Sequence, residues 1–400
     1  MHTILRRLAL LSCSLLVAVG TAQAETAYLQ TNLVTNDQSV APAQQTDPNL
    51  INPWGVSFST TSPIWVSNQG GTGPLGAGST SLFTLHGNTS SPTVATFGVP
   101  NLGGAAPSDN NGPTGQVSTA APGITTSSTD FNFTAGGSTG KAAFIFANLD
   151  GSISAWKGGL SAAVIQPSAT VAGASFTGLA IGNTSTGAAQ IYAADQNSTN
   201  VYIFNSQWQK IGTLAADSTL PAGFKAFNVQ NIGGKLFVTY ANPNSPAGGV
   251  VDEYSTNGAL LGRVITDSAG AHLNTPWGLA VAPVGWGQFG GDLLIGNNDV
   301  DGFINAYSLS GTTATWQGTL MLNTGQPFHE GELWGMTFGN GGSGGSPNTL
   351  YIAAGLEGAT NGLIAAISVP EPSSGVLGLI AVAIVGGGWQ WKHRRRPRVA

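Results

Sequence analysis

The densest cluster of ionisable side chains in this 400-residue sequence is His329-Glu330-Gly331-Glu332. A histidine beside two carboxylates can move protons or ligate a cation, but the spacing matches no zinc signature. Loops carry such residues routinely. Asp299-Val300-Asp301-Gly302 starts like a calcium loop yet lacks the later carboxylates and the terminal Glu, so a hairpin turn fits it better. A third set is dispersed. Asn68, Asn148, Asp195, Asn242 and Asn297 each close a short apolar run, while Asn52, His272 and Asn274 precede others. Amide and carboxylate oxygens are the ligands Ca²⁺ prefers, although Asn and Asp also favour turns because they bond their own backbone. Trp54, Trp277 and Trp334 each stand before a glycine and could stack on sugar rings or simply pack. No Walker loop or His-Glu-x-x-His occurs.

What must position these residues is a repeat. Pro276-Trp277-Gly278-Leu279-Ala280-Val281 is followed by Asp292 to Asn297, an Asp301-Gly302 turn, Phe303 to Tyr307 and Thr315 to Leu320. These are four short strands separated by turn residues. The same order starts again at Pro53, Phe131, Thr177, Phe227 and Leu333, giving six copies, with roughly fifty residues per four-stranded unit. The pattern predicts an all-β six-bladed propeller and opposes two β-sandwiches in tandem, which would not repeat. The segment 98–128 reads as a surface loop inserted before the second copy. The sixth copy lacks a fourth strand, and Thr26 to Leu33 alternates like one, so the N-terminal strand is expected to close the ring and cover its edge. In such a ring the loops entering the innermost strands and the ends of the second strands share one face. That would gather Asn52, Trp54, Asn68, Asn148, Asp195, Asn242, His272, Asn274, Trp277, Asn297, His329, Glu330, Glu332 and Trp334 around the channel, with Gly355 completing the column in the sixth copy.

Glycine is abundant, at 58 residues, and only 8% of the chain is charged against 41% hydrophobic. A core can be built, but a coiled coil, a disordered acidic tail and a nucleic-acid binder are all disfavoured. Residues 1–24 read as a signal peptide, with Arg6 and Arg7, an apolar run and Ala22-Gln23-Ala24 before Glu25. The single cysteine, Cys13, lies inside it, so the remaining chain has no disulfide and no thiol nucleophile. At the other end Pro370-Glu371-Pro372 precedes an uncharged stretch from Gly375 to Trp391 and a cluster of Lys392, Arg394, Arg395, Arg396 and Arg398. The stretch reaches the lower limit for a membrane-spanning helix, and the arginines should hold its end in the cytoplasm. Without both ends the domain at 25–368 is acidic, with no basic patch to attract phosphate polymers.

The tripartite end resembles the PEP-CTERM sorting signal. The resemblance implies recognition by an exosortase, removal of residues 369–400 near Pro370-Glu371-Pro372 and delivery to the cell surface or outside; a permanent anchor is the other reading. The Pro-Trp-Gly-Leu-Ala-Val openings resemble NHL-type propeller repeats. With Asn52-Pro53-Trp54-Gly55, Gly112-Pro113-Thr114-Gly115-Gln116-Val117 and Leu333-Trp334-Gly335-Met336-Thr337-Phe338, they also resemble an uncharacterised family of secreted bacterial proteins. That resemblance implies a propeller over roughly 28–368 and supplies no catalytic residues. The expected role is a non-enzymatic binding or structural protein of the surface or extracellular matrix, with exopolysaccharide or surface proteins as partners and signal peptidase and exosortase acting during export. The alternative is a Ca²⁺-dependent hydrolase, because lactonase-type propellers hold Ca²⁺ in the channel.

Overall fold

The computed structural model describes residues 27–71, 78–103 and 111–370; the signal peptide, Glu371, Pro372 and the apolar tail lie outside these. Six sheets form the blades, all antiparallel except where Gln45–Thr46 adds a short parallel strand to the outside of the sixth. Their innermost strands are Pro53–Ser57, Pro113–Ser118, Phe176–Asn183, Lys225–Ile232, Pro276–Val281 and Leu333–Phe338. Each packs against the next and the sixth against the first, so the circuit closes. The second strands are Ile64–Asn68, Phe144–Asn148, Ala189–Asp195, Lys235–Asn242, Leu293–Asn297 and Thr349–Ala354.

Side chains alternate across each sheet, and both faces are buried because every blade has a neighbour on each side. In blade one Ile64 and Val66 pack against Tyr351, Ala353 and Ile364 of blade six, while Trp65 between them packs against Phe144 and Phe146 of blade two. The core is therefore six slabs, one per blade interface. Each fully buried large apolar residue contributes about 1.5–3 kcal/mol.

Ring closure follows the expected route. Leu29–Thr35 pairs antiparallel with Leu363–Ser368 and supplies the missing fourth strand of blade six. The residue just before it fixes the join. Tyr28 is fully buried, its ring centroid 4.4 Å from Trp286 and 6.0 Å from Phe289.

Blade two differs from the expectation. Its innermost strand is Pro113–Ser118, buried throughout, so the segment 98–128 is not only a surface loop and the copy does not open at Phe131. Asn132–Ala135 and Ser138–Lys141 pair with each other alone, around a Gly136-Gly137 turn with both residues at positive φ. This hairpin is tied to blade three, where Trp208 Nε1 donates to the Asn132 carbonyl at 2.8 Å. Its alternation is real, but it reports a satellite hairpin.

The glycine after each channel residue has a specific cause. A Cβ on Gly55 would stand 2.5 Å from the Thr114 carbonyl oxygen, and one on Gly335 2.5 Å from that of Trp54. Cβ atoms on Gly115 and Gly278 would strike the Leu179 amide nitrogen and the Trp334 carbonyl oxygen. Innermost strands thus meet backbone to backbone. Blade four carries Asn228 instead, whose Nδ2 donates to the Trp277 carbonyl at 2.7 Å and stitches it to blade five.

Gly115→Ala is expected to lower stability by about 1–3 kcal/mol, since no flexible side chain can yield to the new methyl. Thermal unfolding followed by circular dichroism checks this; an unchanged midpoint would show that the strands have room.

Candidate functional site

The three tryptophans face the axis and fill it. Trp54 and Trp334 stack with ring centroids 3.4 Å apart, and Trp277 meets both edge-on at 6.2 and 5.9 Å. All three are nearly inaccessible, with Phe227 and Leu149 packed against them. They close the channel at the front face, where the innermost strands begin.

A short polar relay supports the plug. Trp334 Nε1 donates to Asn52 Oδ1 at 3.0 Å, and Asn52 Nδ2 donates to Gln69 Oε1 at 2.6 Å. Asn52 has φ 47°, and Thr275 and Glu332 take the same left-handed backbone at equivalent positions. Asn tolerates that geometry better than most residues. Trp277 Nε1 reaches the Thr177 carbonyl at 3.0 Å, whereas Trp54 Nε1 is buried with no partner.

At the second-strand ends the amide nitrogens are engaged by neighbouring groups, while Oδ1 of Asn68, Asn148 and Asn297 is buried without a partner. Asn68 Nδ2 bonds the hydroxyls of Ser79 and Ser81, and Asn148 Nδ2 bonds those of Ser152 and Ser154. Asn297 Nδ2 donates to the His272 carbonyl. Asp195 accepts from the Ser175 and Asn197 amides and from Ser198 Oγ. Strand register also corrects the column. Pro53, Pro113 and Pro276 pair with Asn68, Asn148 and Asn297, and Phe176 with Asp195. The matching pairs are Ala226 with Tyr240 and Leu333 with Ala354, so neither Asn242 nor Gly355 holds the equivalent position. Asn242 instead accepts from the Asn244 amide in the following turn. Asn274 Oδ1 accepts from the Gly248 amide and ties blade five to blade four.

The ionisable groups of the front face are similarly separate. His272 stacks outward on Trp316 of the outermost strand, 4.0 Å between centroids. His329 is exposed, with Nε2 3.6 Å from Asp301 Oδ1. Glu330 accepts from Gln30 of the closing strand, and Glu332 Oε2 accepts from the Ala359 amide. Burial raises both carboxyls above the usual range. Asp299, raised by burial too, accepts from the Gly302 amide and so closes a turn, as its sequence suggests. Among the described residues no three of His, Cys, Asp and Glu come together to hold a metal ion.

A buried ionic cluster lies in blade four, remote from the plug. Arg263 Nε donates to Asp252 Oδ1 at 2.5 Å, and its Nη2 pairs with Asp217. Two carboxylates thus share one guanidinium, and Asp252 Oδ2 is buried without a partner. Burial pushes the Asp252 carboxyl up to about 6.

The opposite, back face is open. Beyond the plug lies a cavity of about 490 Å³ whose floor includes Trp277, within the range of small-molecule sites. Its walls are the trailing halves of innermost strands, including Val56, Ser57, Gln116, Gln230 and Thr337. The chain between Thr119 and Thr126 forms part of the rim. The Thr60 amide donates to the Ala120 carbonyl, and Thr125 and Asn183 exchange two hydrogen bonds. Sequence reasoning missed this cavity, because its polar residues come from separate blades at no motif spacing.

A family model for the PEP-CTERM protein-sorting motif matches residues 368–396. The chain is 26% identical over 327 residues to uncharacterized protein R648 of Acanthamoeba polyphaga mimivirus, covering 77% of this chain and 73% of that protein. Among solved structures it is similar to a protein of unknown function from Bacteroides thetaiotaomicron, with a TM-score of 0.47 and 11% identity over 85% of this chain and 76% of that one. It is also similar to virginiamycin B lyase from Staphylococcus aureus, with a TM-score of 0.45 and 11% identity over 86% and 99% of the two chains. The sorting motif marks an exported protein and implies processing by exosortase. No helix among the described residues is long and apolar enough to cross a membrane.

Two outcomes follow from these contacts. Trp54→Phe and Trp334→Phe both remove ring area, but only the latter strips Asn52 of its donor, so it should cost about 1 kcal/mol more in denaturant unfolding. Equal losses would remove the relay from the account. For Asp252, a folded-state pKa above the unfolded one means that the folded form binds the proton more tightly. Its stability contribution is full below about pH 4 and is lost as pH rises through 6, by at most about 1.4 kcal/mol per unit. Asp252→Asn should therefore flatten the decline in melting temperature between pH 4 and 6.5 and raise the value at pH 7.

Proposed function

We propose that this exported propeller is a non-enzymatic binding or structural component of the cell surface or extracellular matrix, released from its tail by exosortase. The observation that carries the reading is the tryptophan plug. It occupies the part of the channel where second-strand ends and loop carboxylates would have to converge on a substrate. The charge-poor, amide-rich composition supports a partner held by hydrogen bonds and packing, such as exopolysaccharide or a surface protein. A cell-surface address rests on the sorting motif, with the membrane contacted through the tail before processing.

The competing reading, a Ca²⁺-dependent lactonase-like hydrolase, draws on the raised carboxyls of Glu330 and Glu332 beside His329. One preparation separates the two. Purified protein should retain host exopolysaccharide or a surface protein in pull-downs and show no calcium-dependent lactone hydrolysis. Turnover that disappears in Asp195→Ala or Glu332→Ala would establish the hydrolase instead.

A further inference from the structure

The back-face cavity has a chemistry of its own. None of its lining residues is Asp, Glu, Lys, Arg or His. A charged ligand entering it would lose hydration and find no counter-charge. The wall nevertheless holds a polar group with unused capacity. Gln230, half-buried there, makes no side-chain hydrogen bond within the protein. Such a group rewards a ligand that satisfies it. Gln230 offers a donor and an acceptor at once.

The cavity also has apolar surface. Val56 and Phe58 stand on one wall, Met336 beside them, and Trp277 below. The ligand that fits is uncharged, carries hydroxyls on its rim and presents C–H faces to aromatic and aliphatic side chains. We propose that the back-face cavity binds an uncharged saccharide residue, with Gln230 reading hydroxyls and Trp277 forming the floor. This rests on the binding-protein reading above and assigns it a site on the face opposite the plug.

Titration of the full-length protein with a panel of neutral oligosaccharides, followed by calorimetry and tryptophan fluorescence, tests the assignment. Glucose, galactose, mannose and N-acetylglucosamine oligomers are the probes, with a glucuronate oligomer and an uncharged polar peptide as the other arms. At least one neutral saccharide should bind and change the fluorescence. Gln230→Ala should weaken it about tenfold, and Gln230→Trp, which fills the cavity, should abolish it, both with the wild-type melting temperature. The assignment is overturned if no neutral saccharide binds, if both variants bind normally, or if the uronate or the peptide binds more tightly. The broader reading fails separately. If surface material is captured equally by wild type and Gln230→Trp, the cavity assignment falls and the binding protein stands. If saccharide binds in the cavity yet nothing is captured from the cell surface, the reverse holds.

Discussion

Six innermost strands converge on one axis, and the space between neighbours admits no side chain at the point of closest approach. Everything else in the ring is arranged around that contact. Gly55, Gly115, Gly178, Gly278 and Gly335 let backbones meet, and Asn228 is tolerated in blade four because it uses its amide to hold the next strand. The residue before each glycine is then forced to look inward. Where that residue is tryptophan, three large rings share a small volume, and stacking at 3.4 Å is how they fit. The narrow waist and the aromatic plug are one feature. A wider ring would leave the indoles room to splay and would open a through-channel.

The plug also divides the molecule chemically. In front of it lie the few carboxylates and histidines, each engaged locally by a backbone amide, a glutamine or an aromatic ring. Behind it lies a cavity without any ionisable wall residue. In a chain with this little charge, the groups that remain go mostly to turns, loops and the Arg263 cluster. Hydrogen-bonding amides and hydroxyls are what is left for recognition.

Much of this was legible in the residues. Repeated Trp-Gly steps, Asn at strand ends and an orphan alternating segment at the start were enough for six blades and their closure. Blade two escaped because Thr114 stands where tryptophan stands in the first, fifth and sixth blades, and because the hairpin from Asn132 to Lys141 imitates the missing strand. The strand-end column went astray in blade four, where the ladder of Lys235–Asn242 runs two residues past the equivalent position and places Tyr240 in it. Direction was the deeper limit. Spacing shows which residues end a strand, but not that their side chains bond the adjoining hairpin or loop. The cavity was invisible for a related reason: its walls are ordinary strand residues made into a site only by the ring.

The closing strand has a mechanical consequence. Leu363–Ser368, the last strand of the propeller, runs directly into the sorting motif and is not an edge. It is clasped on one side by Thr349–Ala354 and on the other by Leu29–Thr35. Any pull on the tail, from a membrane or from the machinery that cuts it, is borne by two hydrogen-bonded ladders at once, one of them built from the opposite end of the chain. The fold thus meets traction at its C-terminus by fastening that terminus with its own beginning.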